Sequence, residues 1–482
     1  MNNSPSRADI ISEISTWSIE AKEEDNDRYF YHFKDVDLLE QGQRNYVIGR
    51  KGTGKTAIAE YINGKSSPDR FSKMLSFGNF PFNILYQLSN DEYTKPNQYI
   101  TIWEYVIYNC ICSMMATNEQ VSLKCPVNLR DIFEIDIEKA LSKSIKKMTS
   151  PGFGFNLFGV GASKSAGQII DINSTWREKV DGICEFVKSY SDESTYYIIF
   201  DALDEDYRDI LEPDRKQKYF ELLVGLFKAA QNVRLSLSGL PAKIIPLIFI
   251  RDDIFDLCRD TDKNKWLDRS IKLMWDSDSL ASLIAFRLSR AANQNGQTMP
   301  FDEAWKIAFS SGTVRLNWAH EKKEDAFKFM LRSTFHRPRD IISYVRECAS
   351  IAVKRGLDYI PAALIKQADE SHSDYMRREI IDEVHSIIDD IAEILDIFSE
   401  IRKPILSIDE FSLVFDAYYK QSIGKPPLTS IEILKLLYHF NVIGNVTTGN
   451  HQVFAYSTHK KSINIRENIC IHRGLLKCLH IL

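Results

Sequence analysis

The sequence predicts an α/β fold: a parallel sheet with helices on both faces, then a helical lid, then a C-terminal winged-helix-like region. Three observations predict it. Through the first 275 residues the short apolar runs "RNYVIG", "YYIIFD" and "PLIFI" alternate with stretches of helical periodicity, the pattern of strands joined by crossover helices. From residue 276 the pattern turns helical, in "SLASLIAFRLSRAANQ", "EDAFKFMLRSTF" and "PRDIISYVRECASIAVKR". The last eighty or so residues change again, to a helix "SIEILKLLYHFNVI", a turn "GN" and a strand-like "HQVFAYST". The expected divisions are an N-terminal helical segment (1–40), a sheet core (41–275), a helical lid (276–372) and a C-terminal helical and winged-helix-like part (373–482).

Residues 1–40 read as helical and acidic, with "EAKEEDNDRYFYHF" in the middle. The strand "RNYVIG" then runs into "GRKGTGKT", residues 49–56, and on into the helix "TAIAEYINGK". Gly49, Gly54, Lys55 and Thr56 fit the G-x-x-x-x-G-K-[ST] pattern without a mismatch, and strand, glycine loop, helix is the context that pattern requires. The physics is that of an anion cradle. Gly49, Gly52 and Gly54 let backbone N–H groups turn inward, and the positive end of the following helix favours the same charge. Lys55 would contact the β- and γ-phosphates of a nucleotide, and Thr56 would offer its hydroxyl to Mg²⁺. With Ala57 just behind them, these are the candidate nucleotide-binding residues.

A second strand and turn follow in "KMLSFGNFPF", then a helix "YITIWEYVIYNCICSMMA" whose Trp103 belongs in the core rather than on a base-stacking platform. The stretch from Gly152 to Gly167 is either a hairpin or surface loop, or a mobile loop facing DNA, a neighbouring subunit or a partner. "YYIIFDALDE" is a buried strand ending in acids. Asp201 is expected to orient water on Mg²⁺. Asp204 and Glu205 are the candidates for activating the attacking water; the alternative is an acidic turn that caps the strand. The next strand, "PLIFIRDDIF", ends at Arg251. Arg251 is either a γ-phosphate sensor or one half of a surface salt bridge with Asp252 or Asp253. In "FHRPRDIISYV", Pro338 suits a first helical turn, with Arg339 and Asp340 exposed beside it. Arg339, or Arg337, would reach from the lid to the nucleotide; otherwise both are a solvated helix start.

Composition narrows the class. A net charge of −5 leaves no global basic field, so nucleic-acid binding would rest on a local patch. The eight cysteines form no paired C-x-x-C and no Cys/His ligand set, which is the usage of reduced thiols in a cytoplasmic protein. The N-terminus lacks an apolar signal-peptide core, and no run of about 18 apolar residues suggests a membrane span. Near the C-terminus, Lys460, Lys461, Arg466, Arg473 and Lys477 would either touch DNA phosphates or belong to a packing module, since apolar residues are interleaved among them. His472 reads as structural.

Taken together, "YVIGRKGTGKTAI", "IIFDALDE", "PLIFIRDDIF" and "RPRDII" resemble the ASCE-type P-loop NTPases of the AAA+-related and STAND class. The D-x-x-D-E form is similar to that of the NACHT and KAP-like groups. The whole looks like a group of bacterial ATPases found among anti-phage defence and mobile-element genes. That resemblance implies ATP and Mg²⁺ as cofactors, with Lys55, Thr56, Asp201, Asp204 or Glu205, Arg251 and Arg339 as phosphate, metal, catalytic, sensor and lid residues. It further implies a homo-oligomer working with a separate protein effector, because no nuclease, TIR or protease segment is attached. ATP is preferred over GTP on the resemblance alone, there being no suitably placed N-K-x-D. Two functions follow as expectations: an ATPase acting as a switch or motor, or an ATP-binding scaffold or DNA-binding component with little turnover.

Overall fold

The computed structural model describes residues 5–76, 97–125, 129, 176–204, 213–293, 296–310, 312–316, 323–385, 387–422, 428–457 and 462–481. Glu205, the 152–167 glycine stretch, the end of "KMLSFGNFPF", Lys460 and Lys461 lie outside them. Two compact units make up the chain: residues 32–50 with 55–273, and residues 1–31 with 51–54 and 274–482.

The first unit is the expected α/β core. Its sheet is built from β1 (Tyr46–Gly49), β2 (Arg70–Ser76), β3 (Thr195–Asp201), β4 (Lys243–Ile250) and β5 (Ser270–Leu273), in the order β2-β3-β4-β1-β5, with every neighbouring pair parallel. The three central strands are continuous apolar runs, buried along almost their whole length, as strands covered on both faces must be. Pro246 sits inside central β4, where a missing N–H would break a ladder. It is tolerated because β1 starts level with Ile248, two residues further on, and the Asn45 side chain donates to the Pro246 carbonyl at 2.9 Å. One face is covered by the helices Asn97–Met115 and Pro213–Ser236. Trp103 is fully buried between them and the sheet: its indole N–H donates to the Leu222 carbonyl at 2.9 Å and its ring meets Phe200 edge-on. The helices approach so closely at Gly225 that a β-carbon there would lie 2.8 Å from that of Tyr99.

The second unit holds two cores. The first gathers the helices Ser277–Ala292, Phe301–Ala308, Ala326–Leu331, Pro338–Lys354 and the start of Ala362–Val384, beside a small hairpin of β6 (Thr313–Arg315) and β7 (Lys323–Asp325). Ile10, Ile11, Ile14 and Trp17 from the N-terminal segment are part of it. The second core joins the end of the helix Ala362–Val384 to the helices Ile391–Ile401, Ile408–Ser422 and Ser430–His439. These pack with an antiparallel sheet of β8 (Ile405–Leu406), β9 (Ile443–Val446), β10 (Gln452–Val453) and β11 (Asn468–Ile471). All eight cysteines are free thiols, seven of them buried. Among the described residues no helix is long and apolar enough to cross a membrane.

Candidate functional site

Parallel strands bring their carboxyl ends to one edge of the sheet, where α/β proteins bind ligands. At this edge β1 ends in Gly49, β3 in Asp201 and β4 in Ile250, followed by Arg251. β4 lies between β1 and β3. Asp201 therefore meets the loop's helix rather than the loop strand itself: the Thr56 hydroxyl donates to its carboxylate. The Ala202 amide donates to it as well, from a residue held in the left-handed region at φ 57°. The tight turn is pinned by the Tyr219 hydroxyl, which donates to the Leu203 carbonyl at 2.9 Å.

Asp201 is the most telling residue of the site. It is 2% exposed, and burial pushes its carboxyl above the ordinary value against the hydrogen bonds from Thr56 and Ala202. Its Oδ2 is buried with no hydrogen-bond partner among the described residues. An orphaned carboxylate oxygen is costly and needs an explanation; a divalent cation is the natural one, since Mg²⁺ takes one or two carboxylates, a Ser/Thr hydroxyl and phosphate oxygens. Asp201 and Thr56 fit that ion.

Lys55 opens the helix Lys55–Gly64. Its ammonium curls back to donate to the loop's own carbonyls, Gly49 at 2.9 Å and Arg50 at 3.0 Å. Burial pulls its pKa down, while Asp204 and Asp201 push it up and Arg251 down. These four side chains thus share one electrostatic field. Arg251 is no surface residue: it is 8% exposed, and its guanidinium grips the equally buried Asp253 with two bonds, at 3.0 and 2.7 Å. The remaining nitrogen reaches Asp204 at 3.5 Å. The salt bridge expected of Arg251 is therefore formed, with Asp253, but it is buried rather than at the surface, and the same side chain also reaches Asp204. Of the two partners the sequence offered, Asp252 and Asp253, it is Asp253 that takes the guanidinium, two residues past the strand-end arginine.

The tip of the loop, Lys51–Gly54, belongs to the second unit. Gly52 and Gly54 have φ of 78° and 98°, which only glycine adopts freely. Three groups hold the tip's carbonyls: Arg337 Nη1 donates to Lys51 at 3.2 Å, the Arg339 amide to Gly52 at 3.3 Å, and Trp275 Nε1 to Thr53 at 3.0 Å. Pro338 does start its helix, as expected. Asp340 does not stand exposed beside it; it is fully buried, with Arg337 at 2% exposure. A short, fully desolvated pair explains the difference, the Arg337 guanidinium bonding Asp340 at 2.9–3.1 Å and Glu383 at 3.2 Å. Burial alone would raise the Asp340 carboxyl, but the guanidinium beside it holds it below its usual value. The Arg339 guanidinium pairs instead with Glu20 at 3.1 Å and Glu379 at 3.5 Å.

Asp340→Ala is expected to cost roughly 3 kcal/mol, because it removes the carboxylate that makes most of the buried guanidinium's bonds and leaves it Glu383 and the Lys51 carbonyl. Urea denaturation at neutral pH checks this. The depressed carboxyl stabilises the wild type above its unfolded pKa of about 4, and that contribution disappears as the pH falls below it, so the gap should close in acid.

Of the C-terminal cations, Lys477 is committed to Asp369 at 2.9 Å and to the Lys366 carbonyl at 3.3 Å, which is the packing role. His472 is 1% exposed, structural as expected. The helix Ser430–His439 carries Lys435 as its single cation, opposite Glu432, and the β9–β10 turn carries none.

Comparisons with known proteins come to this. Residues 278–381 match the FunZ-associated C-terminal helical domain. Over 466 residues the chain is 24% identical to a putative transposon gamma-delta 80.3 kDa protein of Escherichia coli K12. That alignment takes in 90% of this chain and 62% of the relative, so the chain spans less than two thirds of its length. Among solved structures, the Aeropyrum pernix ORC1 protein in complex with DNA is similar at 11% identity and a TM-score of 0.35, covering 98% of this chain and 96% of that one. The Aeropyrum pernix ORC2 protein in its ADPNP–ADP complexes is similar at 11% identity and a TM-score of 0.39, covering 92% and 90%. Pyrobaculum aerophilum Cdc6p is similar at 10% identity and a TM-score of 0.32, covering 97% and 96%.

Proposed function

We propose that the chain is a Mg²⁺-dependent ATPase of the AAA+-related P-loop class, whose nucleotide state switches its conformation or assembly. The observation that carries this is the buried Asp201 carboxylate beside Thr56, whose Oδ2 has no partner among the described residues, at the sheet edge where the G-x-x-x-x-G-K-T loop begins. When bound, Mg²⁺ would neutralise phosphate charge. Lys55 would leave the Gly49 and Arg50 carbonyls for the β- and γ-phosphates. Asp204 or Glu205 would orient the attacking water and accept its proton. Arg251, held by Asp253, would turn the nitrogen that now reaches Asp204 to the same water or to the γ-phosphate. Arg339 is the lid cation of this reading: it would exchange its carboxylate partners for phosphate, giving ATP a differential hold on one state.

The finer reading is a homo-oligomeric ATPase component of a bacterial defence or mobile-element system, acting in the cytoplasm with a separate effector. Similarity to a putative transposon protein supports the mobile-element part. Steady-state phosphate release, with Mg²⁺ or with EDTA, and with or without DNA, tests the core of the proposal. Release that requires Mg²⁺ is expected. Tight ATP binding without release would promote the scaffold or DNA-binding alternative, and no nucleotide binding at all would end the proposal. Mass photometry with ADP and with a non-hydrolysable ATP analogue should show different oligomer populations, and Arg339→Ala should shrink the difference by about tenfold or more.

A further inference from the structure

Contacts link the phosphate loop's tip to residues 456–477, all within the second unit. The Lys51 and Gly52 carbonyls are held by Arg337 and by the Arg339 amide. Immediately before Arg337, His336 has φ 51°, a conformation that costs a non-glycine residue of order 1 kcal/mol or more and survives only where its surroundings impose it. Those surroundings come from two C-terminal stretches. The Tyr456 ring lies 5.2 Å from that of His336, and His472 packs at 4.5 Å against Phe335, over which the Arg337 guanidinium sits at 4.9 Å. The Tyr456 hydroxyl reaches His472 Nε2 at 3.3 Å, and His472 Nδ1 accepts from the Gly474 amide at 3.1 Å. Gly474 is pressed onto the same turn: a β-carbon there would fall 2.3 Å from the Ser333 carbonyl oxygen. Ser333 Oγ donates to Asp369, which also accepts from Tyr344 and pairs with Lys477.

We propose that Tyr456, His472 and Gly474 are positioning residues for the phosphate loop. Their grip on Ser333–His336 imposes the strained turn. The turn sets Arg337 and Arg339 on the Lys51 and Gly52 carbonyls. Seating of the C-terminal segment and the state of the loop tip are then two ends of one coupled equilibrium, and coupling of this kind is reciprocal. The consequence for nucleotide rests on the ATPase reading above; the mechanical link does not.

Hydrogen exchange on the full chain without nucleotide tests the link, in wild type, Gly474→Ala and Tyr456→Ala. Both variants should exchange about tenfold faster at residues 51–54 and 335–340, with β1–β5 and β8–β11 protected as in wild type. Tyr456 is half-buried and outside the β8–β11 sheet, so Tyr456→Ala decides the matter if Gly474→Ala loosens that sheet. Wild-type exchange at 51–54 in Tyr456→Ala overturns the proposal. In a second arm, ATP affinity should fall about tenfold in the same variants. A wild type that binds no ATP sinks the ATPase reading and leaves the exchange result to judge the link. ATP bound normally by variants with unchanged exchange sinks the link alone.

Discussion

Lys55→Ala is expected to weaken ATP binding by about a hundredfold or more while leaving the protein folded. The reasoning begins with what the ammonium does. It donates to the Gly49 and Arg50 carbonyls, both within the loop itself, so its loss removes no long-range contact from the core. A charged hydrogen bond to phosphate is worth about 1.5–3 kcal/mol, and the upper end alone is more than a hundredfold in affinity. Field effects act in the same direction. Lys55 shares its surroundings with Asp201, Asp204 and Asp252, and without its charge an incoming triphosphate meets those carboxylates beside an Arg251 already occupied by Asp253. A fluorescent ATP analogue measures the affinity, and circular dichroism the fold. A folded variant that binds like wild type would falsify the nucleotide assignment.

How much of this was legible beforehand depended on the distance along the chain between the residues concerned. The loop, the strand before it and the helix after it are one contiguous pattern, and each strand end carries its polar residue in sequence: Asp201 after "YYIIF", Arg251 after "PLIFI". Periodicity therefore exposed the α/β core and the line of polar residues at its edge. It could not expose what depends on register and strand order. That β4 separates β3 from β1, so that Asp201 meets Thr56, follows from the sheet's order. The Arg337–Asp340 pair is local, three residues apart, yet its complete burial is set by Glu383 and the Lys51 carbonyl, 46 and 286 residues away. The clamp from Tyr456 and Gly474 on the His336 turn left no local trace, because it joins residues more than a hundred positions apart. For "RPRD" a solvated helix start stood beside the lid-cation reading because charged residues usually are solvated, and for Arg337 and Asp340 tertiary packing overrides that.

Asp201→Asn is expected to separate function from stability. Hydrolysis should fall by about a hundredfold or more, because the charge that holds the cation and faces the phosphates is gone. Folding stability should stay level or rise by about 1 kcal/mol, since the wild type buries a carboxylate oxygen with no partner among the described residues and an uncharged amide has a smaller desolvation penalty. The sign of the pH dependence follows. Burial raises the folded carboxyl above its unfolded value of about 4. The folded state then holds the proton over a range where the unfolded state has lost it, so wild-type stability falls as pH rises through that range. Below it, both forms are neutral there and the variant has no advantage. Denaturation midpoints of the two proteins should therefore coincide near pH 4, about the ordinary carboxyl value, and separate in favour of Asp201→Asn toward neutrality. Adding Mg²⁺ with a non-hydrolysable ATP analogue should reverse the order at neutral pH, because ligand that binds only the folded wild type stabilises it by mass action. A variant that is less stable than wild type at every pH, and still hydrolyses ATP at the wild-type rate, would show that Asp201 is a structural cap on β3 and that the cation is held elsewhere.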